Sequence, residues 1–154
     1  MAILHLSDLH FGRVKKQDET EDIFVRKGEI LQGLLESIQK VQIHIDHIIV
    51  TGDIAWFGKK KDFDEALIWF RNLLSITHLN GKDITFCPGN HDVNRQYWCS
   101  NTNINYKDID KIDELYKYDN VYEFETPLYN YEKFCETLGV EPFHYPKNDA
   151  WVSS

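Results

Sequence analysis

The chain has 154 residues, 25 acidic against 17 basic side chains, a net charge of −8 and 42% hydrophobic residues. That length and apolar content suit one domain with a real core, and an aromatic share of 14% is foreign to a disordered chain. The acidic balance argues against broad attraction to nucleic acid or anionic lipid. No apolar run approaches the roughly 20 residues a membrane helix needs.

The opening Met-Ala-Ile-Leu-His-Leu-Ser-Asp lacks the basic flank and long apolar stretch of a secretory signal, so a cytoplasmic address is expected. Cys87, Cys99 and Cys135 cannot all pair within the chain and show no C-x-x-C spacing. Neither a disulfide framework nor a cysteine zinc site is indicated.

In chain order, Ala2 to Ser7 is a short apolar run that reads as a buried strand, followed by a polar loop from Arg13 to Thr20. Leu31, Leu34, Leu35 and Ile38 recur at helical spacing and predict an amphipathic helix from about Asp22 to Lys40. His47 to Thr51, with Ile48, Ile49 and Val50, predicts a second buried strand. Lys59, Lys60 and Lys61 read as a solvated loop. Asp62 then reads as a helix cap, with Glu65 completing a capping box before the stripe Phe63, Ala66, Leu67, Phe70 and Leu74.

Asn80-Gly81 is a turn signal, and Ile84 to Cys87 a third strand ended by Pro88-Gly89. Strand, helix, strand, helix, strand implies crossover connections and mostly parallel pairing, an α/β fold. After residue 95 the chain turns rich in Asn, Asp, Lys and Tyr. One helix is expected at Asp108 to Tyr118. Another is expected to open with Thr126 as cap and Pro127 at its first position, to carry Leu128, Tyr131, Phe134, Cys135 and Leu138 on its apolar face, and to stop at Gly139.

All three predicted strands end in groups that carry chemistry: Asp8-Leu9-His10, Gly52-Asp53 and Gly89-Asn90-His91-Asp92. Parallel strands place their carboxyl ends on one edge, where functional groups of open α/β sheets gather. Asp8, Asp53 and Asn90 offer oxygen, and His10 and His91 offer imidazole nitrogen. A mixed set without sulfur suits Mn²⁺, Fe or Zn²⁺. In Asp8-x-His10 both side chains reach one ion if the backbone turns as it leaves the strand. Gly52 and Gly89 remove bulk beside the ligands and permit unusual backbone angles.

Asp8-Leu9-His10, Gly52-Asp53-Ile54-Ala55 and Gly89-Asn90-His91-Asp92, in that order, resemble the D-x-H, G-D-x-x and G-N-H-[DE] signature of the calcineurin-like metallophosphoesterases. The context Ser7-Asp8-Leu9-His10-Phe11-Gly12 and Cys87-Pro88-Gly89-Asn90-His91-Asp92 is most similar to the cyclic-nucleotide-phosphodiesterase and nuclease-like branches. The resemblance implies the N-terminal half of an αββα sandwich, with a motif-bearing βαβαβ core over residues 1–95 and a helical and loop extension over 96–154.

It also implies a site with two divalent ions. Asp8 and His10 would bind the first, Asp53 would bridge, and Asn90 would bind the second, about 3.5–4 Å apart as such pairs are. His91 would stabilise developing charge and protonate the leaving oxygen. Asp92 would orient His91 or bond to the backbone. Arg95 would reach a substrate phosphate or form a surface ion pair, and Trp56 and Phe57 would line a substrate pocket or cap the core. His5, His44, His47 and His78 read as structural or solvated.

The family pattern continues with a lone histidine and a G-H-x-H. The chain carries no G-H-x-H, and the histidine after His91 is His144, between Pro142 and Pro146. The second metal shell is therefore expected to be incomplete. The final Ala150-Trp151-Val152-Ser153-Ser154 reads as the opening of a strand, so an excerpt of a longer enzyme is expected over a natural short relative that has lost turnover; robust turnover of this chain would imply ligands from a partner chain. The expected activity is hydrolysis of phosphate esters, phosphodiesters foremost, with a nucleotide-like substrate admissible. The alternatives are a catalytically inactive metal-binding or regulatory module and a metal-dependent nuclease domain, the last not supported by the charge balance.

Overall fold

The computed structural model describes residues 1–13, 21–41, 43–94 and 128–141. In chain order the elements are β1 (Ile3–Leu6), α1 (Glu21–Val41), β2 (His47–Thr51), α2 (Lys60–Thr77), a 3-10 turn (Gly81–Asp83), β3 (Ile84–Cys87) and α3 (Tyr129–Leu138). The strands form one parallel sheet in the order β1-β2-β3, with Leu4 opposite Ile48 and Ile48 opposite Ile84. This is the α/β arrangement with crossover helices that the strand–helix alternation predicts. The expected helix at Asp108 to Tyr118, Cys99, Arg95 and His144 lie outside the described residues, as do Thr126 and Pro127 themselves; the helix expected to open with those two begins at Tyr129 instead, with Leu128 as its cap.

Sequential strand order with crossovers of one hand puts both connecting helices on the same face of the sheet. Leu6, Ile48, Val50, Ile84 and Phe86 are buried on that face. On the other face Ile3 is 47% exposed, and His5, Thr51, Thr85 and Cys87 are exposed. The strands therefore alternate, so β1 and β2, expected as buried strands, are buried on one face only. The open face carries two cross-strand polar pairs, His5 Nε2 with the Thr51 hydroxyl at 2.8 Å and His47 Nε2 with the Thr85 hydroxyl at 2.9 Å.

The covered face is held by aromatic packing. Phe70 lies at the centre, its ring centroid 5.1 Å from Trp69, 5.1 Å from Phe86 and 5.7 Å from Phe134, the last on α3. The Trp69 indole N–H donates to the Leu31 carbonyl at 3.1 Å, tying α2 to α1. Residues 128–141 thus share the core with the motif-bearing strands. Gly139 caps α3 with φ 72°, as its place after the apolar stripe predicts.

The start of α2 differs from expectation. Its cap is Lys59, and Asp62 stands at the third helical position, where its buried carboxylate accepts from the backbone N–H groups of Phe57 at 2.9 Å and Lys59 at 3.3 Å. Bonding to free N–H groups at a helix start suits a carboxylate, which also complements the helix dipole. Lys60 and Lys61 belong to the first helical turn, where they face Asp64 and Glu65 at 2.8 and 4.0 Å.

Two outcomes follow from this packing. Phe70→Ala removes a fully buried ring and is expected to cost about 3–5 kcal/mol in urea unfolding. Burial pushes the Cys135 thiol up to about 12, whereas Cys87 is exposed. Alkylation followed by peptide mapping is expected to label Cys87 in the native protein and Cys135 only after denaturation.

Candidate metal centre

The strands stop at Leu6, Thr51 and Cys87, yet the chain goes on pairing beyond them. The Asp8 N–H donates to the Gly52 carbonyl at 3.3 Å, the His10 N–H to Asp53 at 2.8 Å and the Phe11 N–H to Ile54 at 2.7 Å. The Trp56 N–H returns to Phe11 at 2.9 Å. This irregular ladder holds the loop after β1 against the loop after β2.

Within it Asp8, His10 and Asp53 all take left-handed backbone, at φ 57°, 47° and 54°. Aspartate and histidine tolerate that region better than branched residues, but each such position still costs on the order of 1 kcal/mol. The twist lets Leu9 enter the core while Asp8 and His10 leave it on either side.

Gly12 pins the first loop to α2. It has φ 75°, a Cβ there would lie 2.0 Å from the Asp62 carboxylate, and its N–H donates to Glu65 at 3.1 Å. Glu65, expected to complete a capping box, serves this loop instead. The turn after β3 approaches through Gly89, where a Cβ would lie 2.2 Å from Asp53 Oδ1 and 2.5 Å from its backbone nitrogen. Asp92 secures that turn. Its fully buried carboxylate accepts from the Ala55 N–H at 2.7 Å and the Gly89 N–H at 2.8 Å. Burial raises its pKa, and the N–H donors of Ala55, Gly89 and Ile54 oppose the rise.

These contacts bring His10, Asp53 and His91 together, one ligand atom from each lying within 4.8 Å of the others. Asp53 Oδ1 accepts the His91 backbone N–H at 3.0 Å, which fixes the carboxylate beside the turn. Asp8 Oδ1 lies 3.8 Å from His10 Nε2, with the Asp8 side chain 66% exposed and the Ser7 hydroxyl bonded to its other oxygen. Asn90 is exposed on the same turn as His91. The donor set of imidazole and carboxylate fits a borderline divalent cation such as Mn²⁺, Fe²⁺ or Zn²⁺. Arg95 lies outside the described residues.

The His91 ring is held by a group that the sequence does not flag. Its Nδ1 lies 2.8 Å from the Trp56 carbonyl. A carbonyl only accepts, so Nδ1 carries the proton and Nε2 is the atom left for other chemistry. The Trp56 indole stacks on the same ring at 4.7 Å and 24°, and meets His10 edge-on at 4.9 Å. Arg13 places its guanidinium carbon 5.5 Å from the Trp56 ring centroid. A main-chain acceptor has no residue signature. For Trp56 the available signal was its place three residues after Asp53, and for Arg13 its place directly after Phe11-Gly12.

The description of the calcineurin-like phosphoesterases matches residues 1–152. The chain belongs to that family. For this calcineurin-like phosphoesterase chain the match runs past the three motifs and takes in α3. The chain is also 29% identical over 97 residues to an uncharacterized protein of Acanthamoeba polyphaga mimivirus, a stretch that is 60% of this chain and 6% of the viral protein. Among the described residues no helix is long and apolar enough to cross a membrane.

Gly89→Ala drives a methyl group into Asp53. It is expected to weaken Mn²⁺ binding at least about tenfold in calorimetric titration and to cost about 1–3 kcal/mol of stability.

Proposed function

We propose that this chain carries the metal-binding and proton-donating part of a metal-dependent phosphoesterase that hydrolyses phosphodiesters at a dinuclear centre. The observation that supports this reading is the convergence of His10, Asp53 and His91 from three separate loops at one sheet edge. Asp8 and His10 would hold one cation, Asp53 would serve both, and Asn90 would hold the second. The cations would supply Lewis-acid activation of the ester and of the attacking water.

The protein's own groups divide the remaining work. His91, with Nδ1–H held by the Trp56 carbonyl, presents Nε2 to the site and, as the imidazolium, would deliver the Nε2 proton to the leaving oxygen and return to the neutral Nδ1–H tautomer. Trp56 fixes the ring plane by stacking and excludes water from one face. Asp92 acts as a positioning residue, since its carboxylate bonds to the amides of Ala55 and Gly89 and so sets the distance between the second loop and the His91 turn. With no G-H-x-H in its sequence, this chain encodes part of the second shell.

The test is calorimetry with Mn²⁺ followed by assay with a chromogenic phosphodiester and a phosphomonoester. Wild-type protein is expected to bind Mn²⁺ saturably, and Asp53→Ala and His10→Ala to lose at least about tenfold in affinity. Any turnover is expected to favour the diester, to vanish in Asp53→Ala and to fall about 10²–10⁴-fold in His91→Ala. Asp53-dependent metal binding with no turnover of either ester would leave a metal-binding module. Absence of Asp53-dependent binding would overturn the reading.

A further inference from the structure

The residues that follow Asp53 carry a second pattern, which runs outward from the Trp56 ring that holds His91. Rings continue outward from the ligand cluster: His91 stacks on Trp56, and Trp56 meets Phe57 edge-on at 6.1 Å and 81°. Phe57 is 43% exposed, although it is large and apolar. Each outer ring carries a cation. The Arg13 guanidinium carbon is 5.5 Å from the Trp56 centroid, and Lys59 Nζ is 5.2 Å from the Phe57 centroid. The two cations come from different loops of a chain whose net charge is −8, and both sit on aromatic faces beside the candidate metal centre.

An exposed aromatic face flanked by cations suits one ligand chemistry well: a flat heteroaromatic base joined to a phosphate. Bases stack on aromatic side chains, and arginine and lysine attract the backbone charge. The acidic surface elsewhere would confine such attraction to this rim.

We propose that Phe57, Lys59, Trp56 and Arg13 form the substrate rim of the centre and take the nucleoside arm of a phosphodiester, the base on Phe57 and the phosphate between Arg13 and Lys59. This rests on the phosphoesterase reading above and names its substrate class. The ligand chemistry is shared by small nucleotides and single-stranded nucleic acid.

The experiment measures binding of a phosphorothioate dinucleotide, its abasic analogue and a single-stranded oligonucleotide, each with Mn²⁺ and with EDTA. In wild type the dinucleotide is expected to bind roughly tenfold more tightly than the abasic analogue, the effect of one stacked base. That ratio is expected to fall to about one in Phe57→Ala and to return in Phe57→Tyr. Lys59→Gln and Arg13→Gln are expected to weaken the dinucleotide and the abasic analogue alike.

Affinity that grows with strand length assigns the rim to nucleic acid, and equal affinity for dinucleotide and oligonucleotide assigns it to small nucleotides. A wild-type ratio within about twofold of one, or a ratio that survives Phe57→Ala, overturns the proposal. The base ratio is read within each condition. Failure of the metal reading would show separately, as the same affinities with Mn²⁺ and with EDTA.

Discussion

A buried carboxylate joins the loops that make this site. Asp92 is fully buried, and its two oxygens take the backbone N–H groups of Ala55 and Gly89. Burying a carboxylate is costly unless hydrogen bonds compensate, and here the donors belong to two different loops. The same bonds that satisfy Asp92 therefore hold the turn after β3 against the loop after β2. Asp53 and His91 meet because their backbones are tied together there, and the Asp53 side chain adds a bond to the His91 N–H.

The second constraint is backbone strain shared among the candidate ligands. Asp8, His10 and Asp53 all sit at positive φ, a conformation that isolated residues of these types seldom hold. The irregular ladder between the first two loops supplies the restraint, with bonds of 2.7–3.3 Å at and beside the strained residues. Gly12 and Gly89 allow the approach that the ladder needs, because a side chain at either would overlap a carboxylate. Beneath the loops, Phe70 and its ring neighbours give a dense floor that keeps the sheet edge from relaxing. Strained ligand positions on a rigid floor suit a site whose donors must be held ready for a cation.

Among the described residues the architecture is also one-sided. The helices cover one face of the sheet, and the other presents His5, Thr51, Thr85 and Cys87 with two histidine–threonine pairs. Those pairs satisfy polar groups across neighbouring strands without using an apolar cover. The site lies at the carboxyl edge, where both faces end, so its donors depend on the loops rather than on whichever face is packed.

Much of this was legible from residue order. β-branched runs closed by Gly52 and by Pro88-Gly89 marked β2 and β3, and apolar residues at helical spacing marked α1, α2 and α3, because burial against one surface selects those periods. The three motifs placed Asp8, His10, Asp53 and His91 at strand ends, and a parallel sheet then puts them on one edge. Local pattern was less reliable at helix starts. The side chain of Asp62 suits the cap of α2, yet Lys59 holds that place and Asp62 serves from inside the first turn.

Residue types and their spacing determined which groups could bind a cation and which strands would carry them, since donor chemistry and hydrophobic period are local properties. Only the tertiary structure decided that the Trp56 carbonyl sets the tautomer of His91, that Asp92 ties two loops through their amides, and that Arg13 and Lys59 each lie over an aromatic ring. Those choices are made by main-chain atoms and by contacts between distant loops, and neither has a signature in the order of side chains.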